Sequence, residues 1–278
     1  MSDVETERRG SVLVVSLNRP EQKNAIGGAT MRLLLEAFRE AANDDSIRAV
    51  VTTGRGGAYS VGADVAALKS AVGSHGPGRP DRGGSDNGLP KLSPSSSIAD
   101  RLGPGRWALA MLELNKPTIA AVNGAAAGGG LCLALLHDFR IAAPTAKFVA
   151  GFGAIGLTPE LGSTFLLPRL VGLPMARRML LRNERVSAAD ALASGLVDAV
   201  DETGDVVEAA IAFADQMVQA PPLAIRMTAE LIANGLSRSL IEQLEAEYAA
   251  QRQLFESADH REAVSAFMER RPGVFIGR

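Results

Sequence analysis

Apolar and polar positions change period along the chain. Four short apolar runs, "SVLVVSLN" (11–18), "IRAVVTTG" (47–54), "PTIAAVNG" (117–124) and "FRIAAP" (139–144), predict strands of a buried sheet. Between them, "GGATMRLLLEAFREAAND" (27–44) spaces its apolar residues for one helical face, and "GGLCLALLHD" (129–138) predicts a buried helix. Strand and helix in alternation predict an α/β fold around a largely parallel sheet. Beyond residue 160 the period is helical, through "STFLLPRLVG", "PMARRMLL" and "SAADALASG" to "VVEAAIAFADQMVQA", "PLAIRMTAELIANG", "SLIEQLEAEYAAQRQLFES" and "DHREAVSAFMERR". Clean caps and glycine or proline stops divide these last segments into a helical layer or bundle.

The pattern lapses over 71–97, "AVGSHGPGRPDRGGSDNGLPKLSPSSS", which is too rich in Gly, Pro and Ser to bury much surface. It reads as a mobile insertion, either a solvated loop or a lid over a pocket. The expected organisation is a core over 1–200 with this insertion and a C-terminal helical region over 201–278. No internal repeat is visible.

Composition narrows the function. The 278 residues are 46% hydrophobic with a formal net charge of -2, which suits a sizeable core and gives no reason to expect nucleic acid or an acidic membrane surface as partner. The arginines of "PRLVGLPMARRMLLRNER" lack an aromatic platform and read as a solvated helical face. "TIAAVNGAAAGGGLCLALL" (118–136) is barely long enough to span a bilayer, and Asn123, Gly124 and three consecutive glycines break it into buried pieces. A single cysteine permits no internal disulfide and "MSDVETERRG" carries no apolar targeting segment, so a cytoplasmic protein is expected.

The glycines are the candidate chemistry. A phosphate loop would end in Gly-Lys-Ser/Thr, but the run ends in Leu131 and Cys132; a dinucleotide fingerprint from Gly128 would need glycine where Leu133 stands. "AYSVG" (58–62) falls one glycine short of a nucleophile elbow around Ser60, and His75, His137 and His260 do not follow in a suitable context. The remaining reading joins two glycine turns, "GRGGAYSVGADV" and "GAAAGGG", each after a strand of a parallel sheet, where ligands ordinarily bind. Each offers a free backbone N–H, and two such amides can hold a carbonyl oxygen as it becomes an oxyanion, helped by the positive end of a helix starting near Gly129.

"LNRPEQKNAI" (17–26), "GGAYSVGADV", "KPTIAAVNGAAAGGGLCLALLHDFRIAA" and the tail "SADHREAVSAFMERRPGVFIGR" (257–278) together resemble the enoyl-CoA hydratase/isomerase, or crotonase, superfamily over the whole chain except 71–97. The resemblance implies a crotonase-like spiral of ββα units with a C-terminal helical trimerisation region. It implies an acyl-CoA thioester as ligand, with coenzyme A entering as part of the substrate and no separate cofactor or metal. It implies a homotrimer or dimer of trimers. By motif position Ala63 and Gly129 supply the oxyanion-binding N–H groups, and Lys23, Ala25, Ser60, Asp64 and Val65 line the CoA channel.

Reaction type then depends on the acid/base groups. The two glutamates of the family's hydratases correspond here to Cys132 and Phe152, neither of which is a useful base at neutral pH. Glu160, in "GLTPELGSTFLLP", corresponds to the proton-shuttling carboxylate of the family's enoyl-CoA isomerases and of its ring-epoxide and oxepin-forming isomerases. Phe152, Ile155, Leu157 and Leu161 are expected to raise its pKa; a cap on the N–H near Ser163 is the competing role. Double-bond isomerisation is the expected activity, with hydration or non-catalytic acyl-CoA binding as alternatives. Cys132 reads as a small core residue, His137–Asp138 as structural, and Trp107 as packing near the acyl pocket or a subunit contact.

Overall fold

The computed structural model describes residues 2–64, 105–112 and 114–278; the 71–97 insertion and Val65 lie outside these described residues. Six strands form the larger sheet: β1 (Val4–Arg9), β2 (Val12–Leu17), β3 (Ala49–Gly54), β5 (Thr118–Val122), β7 (Phe139–Ala142) and β10 (Ala199–Val200), in that spatial order. β1 pairs antiparallel with β2, and every later neighbour is parallel. The second sheet holds β4 (Ala58–Ser60), β6 (Ala125–Ala127), β8 (Lys147–Val149) and β9 (Val186–Ser187), with β4, β6 and β8 mutually parallel.

The two sheets arise from one repeated step. β3, β5 and β7 each run into a short strand, β4, β6 and β8, which pairs in the smaller sheet before the chain turns helical. This realises the α/β spiral of ββα units that the resemblance implies. Five strands depart from the periodicity. "VETERR" forms β1, an edge strand whose charges face water. "AAA" and "KFV" are too short to show a period of two. Within the stretch read as helical, β9 and β10 are two-residue strands.

Alternation along the strands divides the core. Leu13, Val15, Leu17 and Val50 face α1 (Gly28–Asn43), α2 (Arg106–Leu112) and α3 (Gly129–Leu135) in one cluster. Val12, Val14, Ala49, Val51 and Ile119 face α6 (Val206–Val218) in the other. α1 buries Met31, Leu34, Ala37, Phe38 and Ala41, one helical stripe. Trp107 of α2 is half-buried against the first cluster. The segment α4 (Ser163–Leu181) is broken at Gly172, with Pro168 and Pro174 on either side, and α5 (Ala188–Ala193) follows β9.

A buried polar chain ties the layers together. The Nδ1–H of His137 faces the carbonyl of Leu133 at 2.9 Å, which fixes it as donor and leaves Nε2 to accept from the Thr52 hydroxyl at 2.8 Å. Thr52 therefore accepts from the Tyr59 hydroxyl, also at 2.8 Å. Burial pushes the imidazole pKa down to about 3, so folded His137 is neutral while the unfolded chain takes up a proton near 6.5. Between these values the unfolded state binds more protons, and stability falls as pH drops. On going from about pH 7 to about pH 4.5, His137 should cost roughly 2 to 3 kcal/mol of stability. Urea unfolding at both pH values checks this, the His137→Gln variant lacking that part of the slope.

The last three helices are α7 (Pro222–Gly235), α8 (Leu240–Phe255) and α9 (Ala258–Glu269). α7 and α8 contain no buried residue, and α9 buries only Asp259 and Ala266. Among the described residues no helix is long and apolar enough to cross a membrane.

Candidate active site

Three neighbouring strands of the smaller sheet deliver the site. β4 leads into Ala63, β6 into Gly129 and, through a short turn of 3-10 helix at Gly153–Ile155, β8 leads toward Glu160. Because β4 pairs with β6 and β6 with β8, all in parallel, their carboxyl ends lie side by side. The three nearest atoms to a β-carbon built on Gly129 are Gly62 Cα at 3.5 Å, Glu160 Oε1 at 3.6 Å and Ala63 N at 4.0 Å. The three groups assigned to chemistry from the sequence therefore converge on one point.

Both amides are available. Gly129 is the first residue of α3, a position whose N–H has no intrahelical acceptor. Ala63 sits in a parallel bridge with Ile26, but that bridge uses the Gly62 carbonyl and the Asp64 N–H, leaving the Ala63 N–H turned away. α3 has only seven residues, so its offering to an anion is this first N–H more than a long dipole. Gly62 makes the approach possible: at φ +85 a β-carbon would stand 2.7 Å from Gly129 N and 2.8 Å from Ala127 O. Gly130 is needed for closeness, since a β-carbon there would collide with the Ser60 carbonyl.

Glu160 is held by its main chain alone. Its carbonyl accepts the Ser163 N–H at 3.0 Å and the Ser163 hydroxyl at 2.8 Å, while Leu161 and Gly162 both take left-handed conformations that turn the chain into α4. The expected alternative, a side-chain cap, is not formed: α4 has no side-chain cap, and the Glu160 carboxylate takes no hydrogen bond from any described residue. Part of the side chain stays open to solvent, yet enough protein crowds the carboxyl that burial raises its pKa. Phe152 and Leu161 are buried nearby in sequence as expected, whereas Ile155 and Leu157 point outward, 57% and 50% exposed.

Cys132 is buried beside this carboxylate, its thiol against Ser163 and the Glu160 main chain. Burial pushes the thiol up to about 11, so it is protonated at neutral pH and no base. Phe152 fills the other position with a buried ring.

The residues assigned to the CoA channel divide. Lys23 is exposed, in a left-handed conformation, at the edge of the loop. Ala25 is buried and its carbonyl accepts from Arg19, whose guanidinium also binds Asp64 at 2.9 Å. Ser60 is wholly buried, its hydroxyl donating to the Asn24 carbonyl at 2.8 Å and accepting the Gly62 N–H at 3.1 Å. Its side chain is therefore enclosed by main chain, and among the described residues no histidine is placed to act as its base. His137 is spent on Thr52 and Leu133, and His260 stacks edge-on against Phe255.

Two asparagines were not assigned to the site from the sequence. Asn24, buried and left-handed, donates to the carbonyls of Arg55 and Ala58 and accepts the Arg19 N–H. Asn123 donates to the carbonyls of Gly54 and Gly56, bracing the same loop from the other side. A left-handed polar residue after Lys23 was the available signal, because asparagine tolerates that conformation better than most.

Comparison with known proteins gives the family. The family model for enoyl-CoA hydratase/isomerase matches residues 7–76 and 105–278. The short-chain-enoyl-CoA hydratase of Clostridium acetobutylicum is 31% identical over 98% of this chain and 96% of its own. The 1,2-epoxyphenylacetyl-CoA isomerase of Escherichia coli K12 is 34% identical over 96% and 95%. The crystal structure of an enoyl-CoA hydratase from Polaromonas sp. JS666 superposes with a TM-score of 0.85 at 30% identity, covering 98% of this chain and 99% of that one.

Proposed function

Because the chain belongs to the enoyl-CoA hydratase/isomerase family of acyl-CoA enzymes, we propose that it moves the double bond of an enoyl-CoA thioester, using Glu160 as its one base. The observation that carries this reading is the unbonded Glu160 carboxylate 3.6 Å from the β-carbon position of Gly129, with a thiol and a phenyl ring at the two hydratase positions. The thioester oxygen of a 3-enoyl substrate sits between the Ala63 and Gly129 amides. Glu160 takes the proton from C2, the C–H electrons pass into the thioester as a dienolate, and the charge on oxygen is held by the two N–H groups. Return of the proton to C4 closes the carbonyl and leaves the double bond between C2 and C3. Crowding of the carboxyl favours this chemistry, since a raised pKa makes a stronger base. Coenzyme A enters only as part of the substrate, with Lys23 at the mouth of its channel. A panel of 2-enoyl, 3-enoyl and arylacetyl CoA thioesters tests the reading: a 3-enoyl ester is expected to turn over fastest, and binding without turnover of any would favour a non-catalytic role.

The same reading includes assembly as a trimer or dimer of trimers through the C-terminal helices. Ile232, Leu236, Leu240, Ile241 and Phe267, on or beside α7–α9, are between 65% and 82% exposed in the single chain, apolar surface that the core does not cover. Light scattering is expected to give a multiple of three; a stable monomer at micromolar concentration would contradict it.

A further inference from the structure

We propose that Ser60 is a positioning residue that aims the oxyanion-binding N–H of Ala63, an inference that rests on the oxyanion reading of the site. An amide donor is aimed by the plane of its peptide. The Gly62–Ala63 peptide is trans, so its carbonyl and its N–H point in opposite directions. The Gly62 carbonyl accepts the Ile26 N–H at 2.7 Å, which turns the Ala63 N–H away from Ile26. Ser60 fixes the other end of the same residue: its Oγ accepts the Gly62 N–H at 3.1 Å. The Ser60 hydroxyl in turn donates to Asn24 at 2.8 Å, two residues before Ile26.

Segment 23–26 thus serves as a template for 60–64. Val61 N–H donates to Lys23 at 3.1 Å and Asp64 N–H to Ile26 at 3.3 Å, completing the ladder on either side. Gly62 has no side chain to hold it and sits at φ +85, so its orientation rests on these main-chain bonds and on the Ser60 hydroxyl. Without the Ser60 hydroxyl the Gly62 N–H loses its buried acceptor, and the plane that carries Ala63 is held from the Ile26 side alone. Ser60 touches no reacting atom in this arrangement; it acts through Gly62 and Ala63.

Ser60→Ala tests this by separating aim from binding. Its kcat is expected to fall by about 10- to 100-fold with KM little changed, since a misaimed donor weakens the transition state more than the ground state. The infrared carbonyl stretch of a bound acyl-CoA thioester, expected at low frequency in the wild type, is expected to move back toward its free value. Thr53→Val is the stability control: it removes a comparable buried hydroxyl, bonded to the Ala121 carbonyl at 3.0 Å, outside the template. It is expected to keep the wild-type kcat and carbonyl shift. Ser60→Cys, with a weak sulfhydryl in the same space, should show the Ser60→Ala effect at smaller amplitude and decides the matter if the alanine variant does not fold. A wild-type carbonyl shift and kcat in Ser60→Ala or Ser60→Cys, or an equal loss in Thr53→Val, would overturn the proposal. Absence of any shift in the wild-type protein would instead overturn the oxyanion reading on which it rests.

Discussion

Glu160→Gln is expected to lower the isomerisation rate by a hundredfold to about ten-thousandfold, the usual contribution of a positioned general base, with acyl-CoA affinity nearly unchanged. The amide keeps the shape of the carboxylate and cannot accept the C2 proton. The exchange breaks nothing else, because the carboxylate takes no hydrogen bond from the described residues and only the main chain of Glu160 holds the turn. Stability should therefore hold or rise slightly, since an uncharged group no longer suffers the crowding that raises the carboxyl pKa. In the wild type that raised pKa is expected to place the acidic limb of kcat/KM above the ordinary glutamate range. Below it Glu160 is protonated and activity is lost. Steady-state kinetics and calorimetric titration of a thioester analogue check both halves of the expectation.

Gly129→Pro should reduce turnover at least a hundredfold in a folded protein, because losing one oxyanion donor costs roughly 3 kcal/mol in the transition state. Proline removes the N–H and sets ring atoms where the oxyanion would lie. The backbone can accept it, since Gly129 opens α3 and the first helical position is where proline fits best. Its β-carbon would meet Gly62 Cα at 3.5 Å and Glu160 Oε1 at 3.6 Å, both ordinary contacts. Circular dichroism and thermal melting separate a lost donor from a lost fold. Full turnover in a folded variant would place the oxyanion elsewhere.

Much of this arrangement was legible in the chain. Strands buried on both faces announce themselves as unbroken apolar runs, and β2, β3, β5 and β7 fell within the expected ranges. The C-terminal helices were equally clear from their caps, such as the reciprocal pair of Ser239 and Glu242. What periodicity missed was the smaller sheet. β4, β6 and β8 have three residues each, and three residues contain no repeat of a period of two. Yet this sheet is what sets Ala63, Gly129 and Glu160 side by side. Those three were legible through motif resemblance, and the pairing of β4, β6 and β8 supplies the physical reason they meet. Ser60 shows the opposite case. Motif position set it in the CoA channel, but a hydroxyl that is both donor and acceptor to buried main chain was invisible without the Asn24 turn. Exposure of Ile155 and Leu157 was likewise beyond the sequence, because apolar letters near a loop do not say which way they face.

The central claim is that this site moves a proton and does not add water. It is tested most directly by incubating the enzyme with a 3-enoyl-CoA and, separately, with crotonyl-CoA in heavy-oxygen water, the products being followed by mass spectrometry. One well-placed carboxylate predicts rapid formation of the 2-enoyl isomer without label and much slower appearance of labelled 3-hydroxyacyl-CoA. Labelled 3-hydroxyacyl-CoA formed from crotonyl-CoA as fast as, or faster than, isomerisation, and persisting in Glu160→Gln, would contradict it.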